Sequence, residues 1–203
     1  MDYASLKNQD TLQATAAALE GRNIHTQIVN SKAEAMAAIK AIIPDGAEVT
    51  TGSSTTLDQI GFVDLLKSGD HPWKNLKEVI VAETDAAKQA ELRRQSSLAE
   101  YFLGSVHAIT EDGVVVTASA SGSQLAPYAF TSQNVIWVVG AQKIVPNLDE
   151  AMKRVREYVF PLEDARMKST GAPGSVFGKW LIFEREVMPR KIHLILVNEV
   201  LGF

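Results

Sequence analysis

The chain has 203 residues, 46% of them apolar and 22% charged, with a net charge of -4 and no cysteine. That is enough chain to bury a core without covalent staples, and it excludes disulfides, thiolate catalysis, Cys-ligated zinc and a self-ligated iron–sulfur cluster. The acidic balance gives no reason to expect nucleic acid or an anionic membrane surface, no apolar run approaches the ~20 residues of a membrane span, and the polar stretch Met1 to Asp10 does not read as a signal peptide, so a cytoplasmic protein is expected.

Residues 4–20 read as a helix whose Leu12, Ala16 and Leu19 share a face and which Gly21 ends. Ile24 to Val29 alternates apolar and polar side chains, as a strand does. Ser31 caps a second helix, and Glu34 completes a capping box. The apolar face of that helix is Ala35, Met36, Ile39 and Ile43, and Pro44-Asp45-Gly46 is a turn. Ala47 to Thr51 is a strand that runs into Gly52-Ser53-Ser54-Thr55-Thr56. Gly52 lets the backbone turn tightly, and the hydroxyls that follow can cap the next helix. The free N–H groups at that helix start suit an anion such as phosphate or carboxylate. The loop lacks the lysine of a nucleoside-triphosphate loop. The alternative is a Ser/Thr-rich cap with no ligand.

Leu57, Ile60, Val63, Leu65 and Leu66 suggest one or two short helices broken at Gly61, followed by a surface loop from Gly69 to Pro72. Leu76 to Ala82 reads as a buried strand, and Thr84-Asp85 starts a helix to about Ala99. Tyr101 to Thr110 is a long extended stretch. Glu111-Asp112-Gly113 is a hairpin-type turn, and Val114 to Ser119 returns from it, rich in β-branched residues. Ser119-Ala120-Ser121-Gly122-Ser123 is a second hydroxyl-rich turn, with a short helix to about Phe130 after it. Val135 to Val139 is an apolar strand ending in Gly140. Asn147 caps a helix with Glu150 behind it and Leu148, Met152, Val155 and Val159 facing the core, and Pro161 is expected to break it. Residues 168–180 read as loop, and Ile192 to Val197 as a last apolar strand.

Strands alternate with helices, and several are apolar on both faces. The expected fold class is α/β, with a mostly parallel sheet flanked by helices on both faces and at least one antiparallel hairpin, around Asp112. A single domain over residues 1–203 is expected, with the helix at about 4–20 as a candidate appendage. Ligands of such sheets bind beyond the carboxyl ends of the strands. Three turns follow strands, namely Gly52 to Thr56, Ser119 to Ser123 and Gly140 to Lys143, and they are expected to line one crevice.

The histidines are His25, His71, His107 and His193, none at metal-ligand spacing, so no metal site is expected. His193 reads as a core or strand-face side chain, and His25 and His71 as surface residues. His107 precedes the Glu111 turn and could be a general base, a ligand contact or a structural strand residue. Glu111 and Asp112 could do acid–base work or simply form the turn. There is no G-x-S-x-G elbow, so the serines are hydrogen-bonding groups and not nucleophiles. Lys143 could meet an anion and Arg166 a carboxylate, with surface roles as the alternative.

Several segments together resemble a known family. They are Gly52-Ser53-Ser54-Thr55-Thr56-Leu57, Tyr101 to Gly113, Val135 to Val145, Leu148-Asp149-Glu150-Ala151, Pro161 to Arg166 and Val200-Leu201-Gly202-Phe203. In this order they resemble the LUD domain, the lactate utilisation protein family, over nearly the whole chain from about residue 10. The resemblance implies the NagB/RpiA/CoA transferase-like fold, shared with sugar-phosphate isomerases, CoA transferases and formyltetrahydrofolate cyclo-ligases. It implies a part in the oxidation of L-lactate to pyruvate beside iron–sulfur oxidoreductase subunits.

On that resemblance the protein is expected to bind a small anionic metabolite, with no cofactor of its own. The expected ligand-binding residues are Gly52, Ser53, Ser54, Thr55, Thr56, Ser105, Gly122, Ser123, Gly140 and Lys143, and the catalytic candidates are Glu111 and His107. The alternatives are an isomerase, a CoA- or folate-type transferase or ligase of the same superfamily, or a non-catalytic subunit of an iron–sulfur oxidoreductase complex. Self-association into a homo-oligomer is a further option. The chain departs from the family in three places. Ser119…Gly122-Ser123-Gln124 stands where similar members carry Asp…Gly-Asn-Arg, His107 stands where they often have Asn, and the segment Gly171 to Trp180 lacks the cysteines many of them have. These departures imply either a changed ligand or a role confined to partner binding.

Overall fold

The computed structural model describes residues 1–203. In its first half, α1 (Gln9–Glu20), β1 (Ile24–Val29), α2 (Lys32–Ile42), β2 (Glu48–Thr51), α3 (Thr55–Gln59), α4 (Phe62–Ser68), β3 (Lys74–Asn75), α5 (Leu76–Ala82) and α6 (Ala86–Ser96) follow one another. The second half runs β4 (Tyr101–Gly104), β5 (Ala108–Thr110), β6 (Val115–Ser119), a π-helical turn Pro127–Thr131, β7 (Asn134–Gly140), a 3-10 turn Ala141–Lys143 and β8 (Ile144–Val145). It ends with α7 (Leu148–Arg154), a π segment Val155–Val159, α8 (Phe160–Ser169), β9 (Lys179–Phe183) and β10 (Lys191–Val197). No helix is long and apolar enough to cross a membrane.

Local chemistry accounts for most of these boundaries. Ser31 Oγ accepts from Glu34 N–H at 3.2 Å, and the Glu34 carboxylate accepts from Asn30 N–H at 2.9 Å, so the two side chains satisfy donors at the start of α2. Asp85 and Asn147 cap α6 and α7 in the same manner. Gly61, at φ 81°, separates α3 from α4.

Six strands form a wholly parallel sheet in the order β1-β10-β7-β4-β2-β3. The period of two in β7 serves both faces. Ile136 and Val138 pack with Ala35, Ile39, Leu57 and Phe62 of α2, α3 and α4. Val135, Trp137 and Val139 pack on the other side with Leu12 and Leu19 of α1. That second face is shared with a four-stranded sheet, β8-β5-β6-β9, whose Ile109, Val115 and Phe183 join the same core. The hairpin at Glu111–Gly113 pairs β5 with β6 antiparallel, Ile109 opposite Val115. The fold is thus the α/β class expected, a mostly parallel sheet flanked by helices with an antiparallel hairpin beside it. The outer face of the smaller sheet packs against Tyr3, Ala151 and Val155.

Four local expectations are corrected. Leu76 to Ala82 is a helix, not a strand: Asn75 caps it, accepting from Lys77 N–H at 3.1 Å, and only Ile80 is buried. A short β-branched run has no period of its own, and here the cap decides. The helix lies against β2 near the sheet edge, where strand pairing stops at the two-residue β3. Tyr101 to Thr110 is two strands in different sheets, divided at Ser105–His107. Pro161 does not end its helix. The π segment Val155–Val159 lies immediately ahead of it, and this wider turn accommodates the missing amide, so the helix continues to Ser169. Residues 179 and 180 are not loop but open β9, which pairs with β6 at the edge of the smaller sheet.

Gly104 closes β4 in contact with Tyr128, which is fully buried edge-on to Phe102 and Trp137. A Cβ at Gly104 would collide with the Tyr128 hydroxyl, which donates to Ser105 O at 3.1 Å. Gly104→Ala is expected to destabilise the fold by about 1–3 kcal/mol, and Tyr128→Phe in that background to restore part of the loss. Urea midpoints of the two variants check this; an unchanged midpoint for Gly104→Ala contradicts it.

Candidate functional site

Parallel strands β2, β4, β7 and β10 all end on one edge of the large sheet. The segments that leave them, Gly52–Thr56, Ser105–His107, Lys143 and Gly202–Phe203, meet there. With Ser119–Gln124 after β6, the inner face of the helix from α7 to α8 and the loop at Gly174–Phe177, they enclose a cavity of about 340 Å³.

Of the residues expected from sequence, Gly52, Ser53, Ser54, Thr55, Thr56, Ser105, His107, Ser123 and Lys143 line this cavity, and Arg166 does as well. Gly122, Gly140 and Glu111 do not. Gly122, at φ 87°, turns under the Lys179 side chain. Gly140 packs against the backbone of Glu199 and Leu201. Glu111 is exposed on the hairpin turn, its N–H bonded to Val145 O at 2.8 Å.

Lys143 is the centre of the arrangement. Its side chain is fully buried, and Nζ donates to Thr56 Oγ1 at 3.2 Å, Ser105 Oγ at 3.1 Å and Val106 O at 3.1 Å. All three partners are neutral oxygens. Burial, reinforced by the charge of Arg154, pushes its pKa well below the ordinary lysine value. Gly202 lies against the Lys143–Thr56 contact, with no room for a Cβ. Ser54 does cap α3, accepting from Leu57 N–H at 3.3 Å, but that helix has only five residues. So few aligned peptides make a weak dipole, and the positive character of the site comes from Lys143 and Arg154.

His107 Nδ1 accepts from Ala118 N–H at 3.0 Å and lies 3.0 Å from the Thr117 hydroxyl. The backbone donor places the ring proton on Nε2. Burial, then the charges of Lys143 and Arg154, push the ring down to about 3. A ring in this state donates from Nε2 and has no free lone pair there to take up a proton.

Arg154 holds the His107 backbone from behind and acts on Lys143 only through its like charge. It is fully buried, donates to the His107 carbonyl, and lies 5.2 Å above the Tyr158 ring and 5.9 Å above that of Tyr3. Its Nε has no partner. Its sequence signal is legible in retrospect, since Ala151, Val155 and Tyr158 mark a helical stripe and Arg154 falls on it. Lys77 carries no such signal, because its segment reads as a strand in the sequence. From the first turn of α5 it donates to Thr51 Oγ1 at 2.9 Å and Gly52 O at 3.3 Å, bracing the Gly52 turn. Gln124 lies against Gly52. Arg166 is held by Glu163 through two bonds of 2.7 Å.

The fold is similar to that of a DUF162 family protein from Deinococcus radiodurans, known from its crystal structure, with a TM-score of 0.57 and 15% identity over 96% of this chain and 100% of that one. At this identity the likeness carries the fold alone. No curated protein matches the chain in sequence. The LUD domain profile matches residues 12–197, and the chain belongs to the LUD domain family.

Proposed function

We propose that this LUD-domain protein binds a small anionic metabolite in the cavity at the strand ends, in lactate or related organic-acid utilisation. The observation that carries this reading is Lys143, a buried lysine on the cavity wall whose bonds all go to neutral oxygens. An ammonium removed from water without a counter-charge is costly, and a bound carboxylate or phosphate supplies that charge. The Ser53–Thr56 hydroxyls, Ser105, Ser123 and the Nε2–H of His107 provide neutral donors around it. With Gln124 in place of a family Arg and Arg166 already paired to Glu163, Lys143 is the cation this cavity offers an anion.

Calorimetric titration with lactate, pyruvate, CoA, folates and sugar phosphates tests the reading. At least one is expected to bind the native protein, and Lys143→Met to weaken that binding by about 10- to 100-fold. If none binds, the reading fails.

A further inference from the structure

The cavity has two unlike walls, and they come from different elements. The sheet-end wall is mostly polar, with the Gly52–Thr56 loop, Ser105, Ser123 and Lys143, and with Val106 and Phe203 beside them. The opposite wall is supplied by the helix that runs through the π segment and by the loop before β9. It presents Val155, Val159, Phe160 and Phe177. The wider turn of the π segment puts Val155 and Val159, both buried, on this wall. Phe160 stacks on Phe177 at 4.4 Å and Phe177 on Trp180 at 5.4 Å, while Arg156 lies 5.4 Å above Phe177 and 5.2 Å above Trp180. The aromatic side of the wall is therefore braced from behind and preformed. The charges on the helix side, Glu163 and Arg166, neutralise each other and ask for no second charge on a ligand.

Size points the same way. The 340 Å³ corresponds to roughly eleven water molecules at ~30 Å³ each, and a three-carbon hydroxy acid, the size of roughly four of them, fills about a third of it. The remainder would leave water against valine and phenylalanine, where it finds few partners.

Resting on the reading of Lys143 as the anion site, we infer that the cavity takes an amphiphilic acid larger than lactate, its anionic head on Lys143 and its aliphatic or aromatic body against Val155, Val159, Phe160 and Phe177. Such a ligand satisfies both walls at once.

The test is calorimetry on two series, straight-chain 2-hydroxy acids from lactate to 2-hydroxyoctanoate and straight-chain alkyl phosphates of matching length, with phenyllactate added. In at least one series Kd is expected to fall by about fourfold per methylene until the cavity is filled. Val159→Thr keeps the shape of the side chain and adds a hydroxyl to the apolar wall. It is expected to weaken the longer members more than the shortest one. If short acids bind and neither series improves with length, the inference is overturned while the Lys143 reading stands. If Val159→Thr leaves a rising series unaltered, the body lies elsewhere and the inference is overturned as well. If no member of either series binds, the inference is overturned, and the Lys143 reading is decided by the CoA, folate and sugar-phosphate titrations.

Discussion

Replacing Lys143 with methionine is expected to weaken anion binding by about 10- to 100-fold, the usual worth of a hydrogen bond to a charged group. The same substitution is expected to abolish a proton uptake that accompanies binding in the native protein. Burial, with the Arg154 charge beside it, holds the Lys143 ammonium well below its ordinary value of 10.5. Between that lowered value and 10.5 the free folded protein carries less than a full proton there. A bound anion favours the ammonium and draws the proton in, so affinity falls as pH rises through this window. Titrations in two buffers of different ionisation enthalpy measure the uptake. An uptake that persists in Lys143→Met would assign it to another group.

Stability without ligand carries the same signature with a definite sign. In that window the unfolded chain binds more protons than the folded one, so stability rises with pH until about 10.5. Lys143→Met is expected to flatten this rise in a series of thermal melts.

Acid is expected to destabilise the protein between about pH 6.5 and pH 3 more steeply than its carboxylates alone would. His107 is held neutral by burial and by the neighbouring Lys143 and Arg154 charges down to about 3, whereas the unfolded ring protonates near 6.5. Across this interval the unfolded state binds the extra proton, so stability falls with falling pH by about 1.4 kcal/mol per pH unit from this one group. The whole interval amounts to several kcal/mol, a large share of a domain's stability. His107→Asn retains an acceptor for Ala118 N–H and does not titrate. It is expected to lose much of the slope between pH 6.5 and 4, with stability at pH 8 within about 1 kcal/mol of native. His107→Phe leaves Ala118 N–H without its acceptor and is expected to be weaker at every pH by about 1–3 kcal/mol. Urea midpoints measured at pH 8 and pH 4 decide the matter, and identical pH slopes for native and Asn forms would contradict it.

Much of the fold is legible in short stretches of the chain. The span of β1, the Ser31 and Asn147 caps, the break at Gly61 and the turn at Glu111–Gly113 each depend on a few neighbouring residues, and the structure shows them where the sequence places them. The stretches that misled are those where two local signals compete. The run Leu76–Ala82 is β-branched but capped, and Pro161 follows a π segment that periodicity does not reveal. The site divides in the same way. The hydroxyl-rich loop, Ser105 and Lys143 are visible as the ends of apolar strands, whereas Gly122, Gly140 and Glu111 look equivalent in sequence and lie off the cavity.

Short stretches of the chain specify the family, the α/β class, the strand ends and the residue types available at them. Which of these residues meet, and in what state, depends on how the layers pack. Lys143 and Thr56 are 87 positions apart, and Arg154 and His107 are 47 apart. Their contacts depend on parallel crossovers that no local pattern encodes. The chemistry of Lys143 follows from its burial among neutral oxygens and the cation behind it, and burial is a property of the packed layers, not of the spacing along the chain.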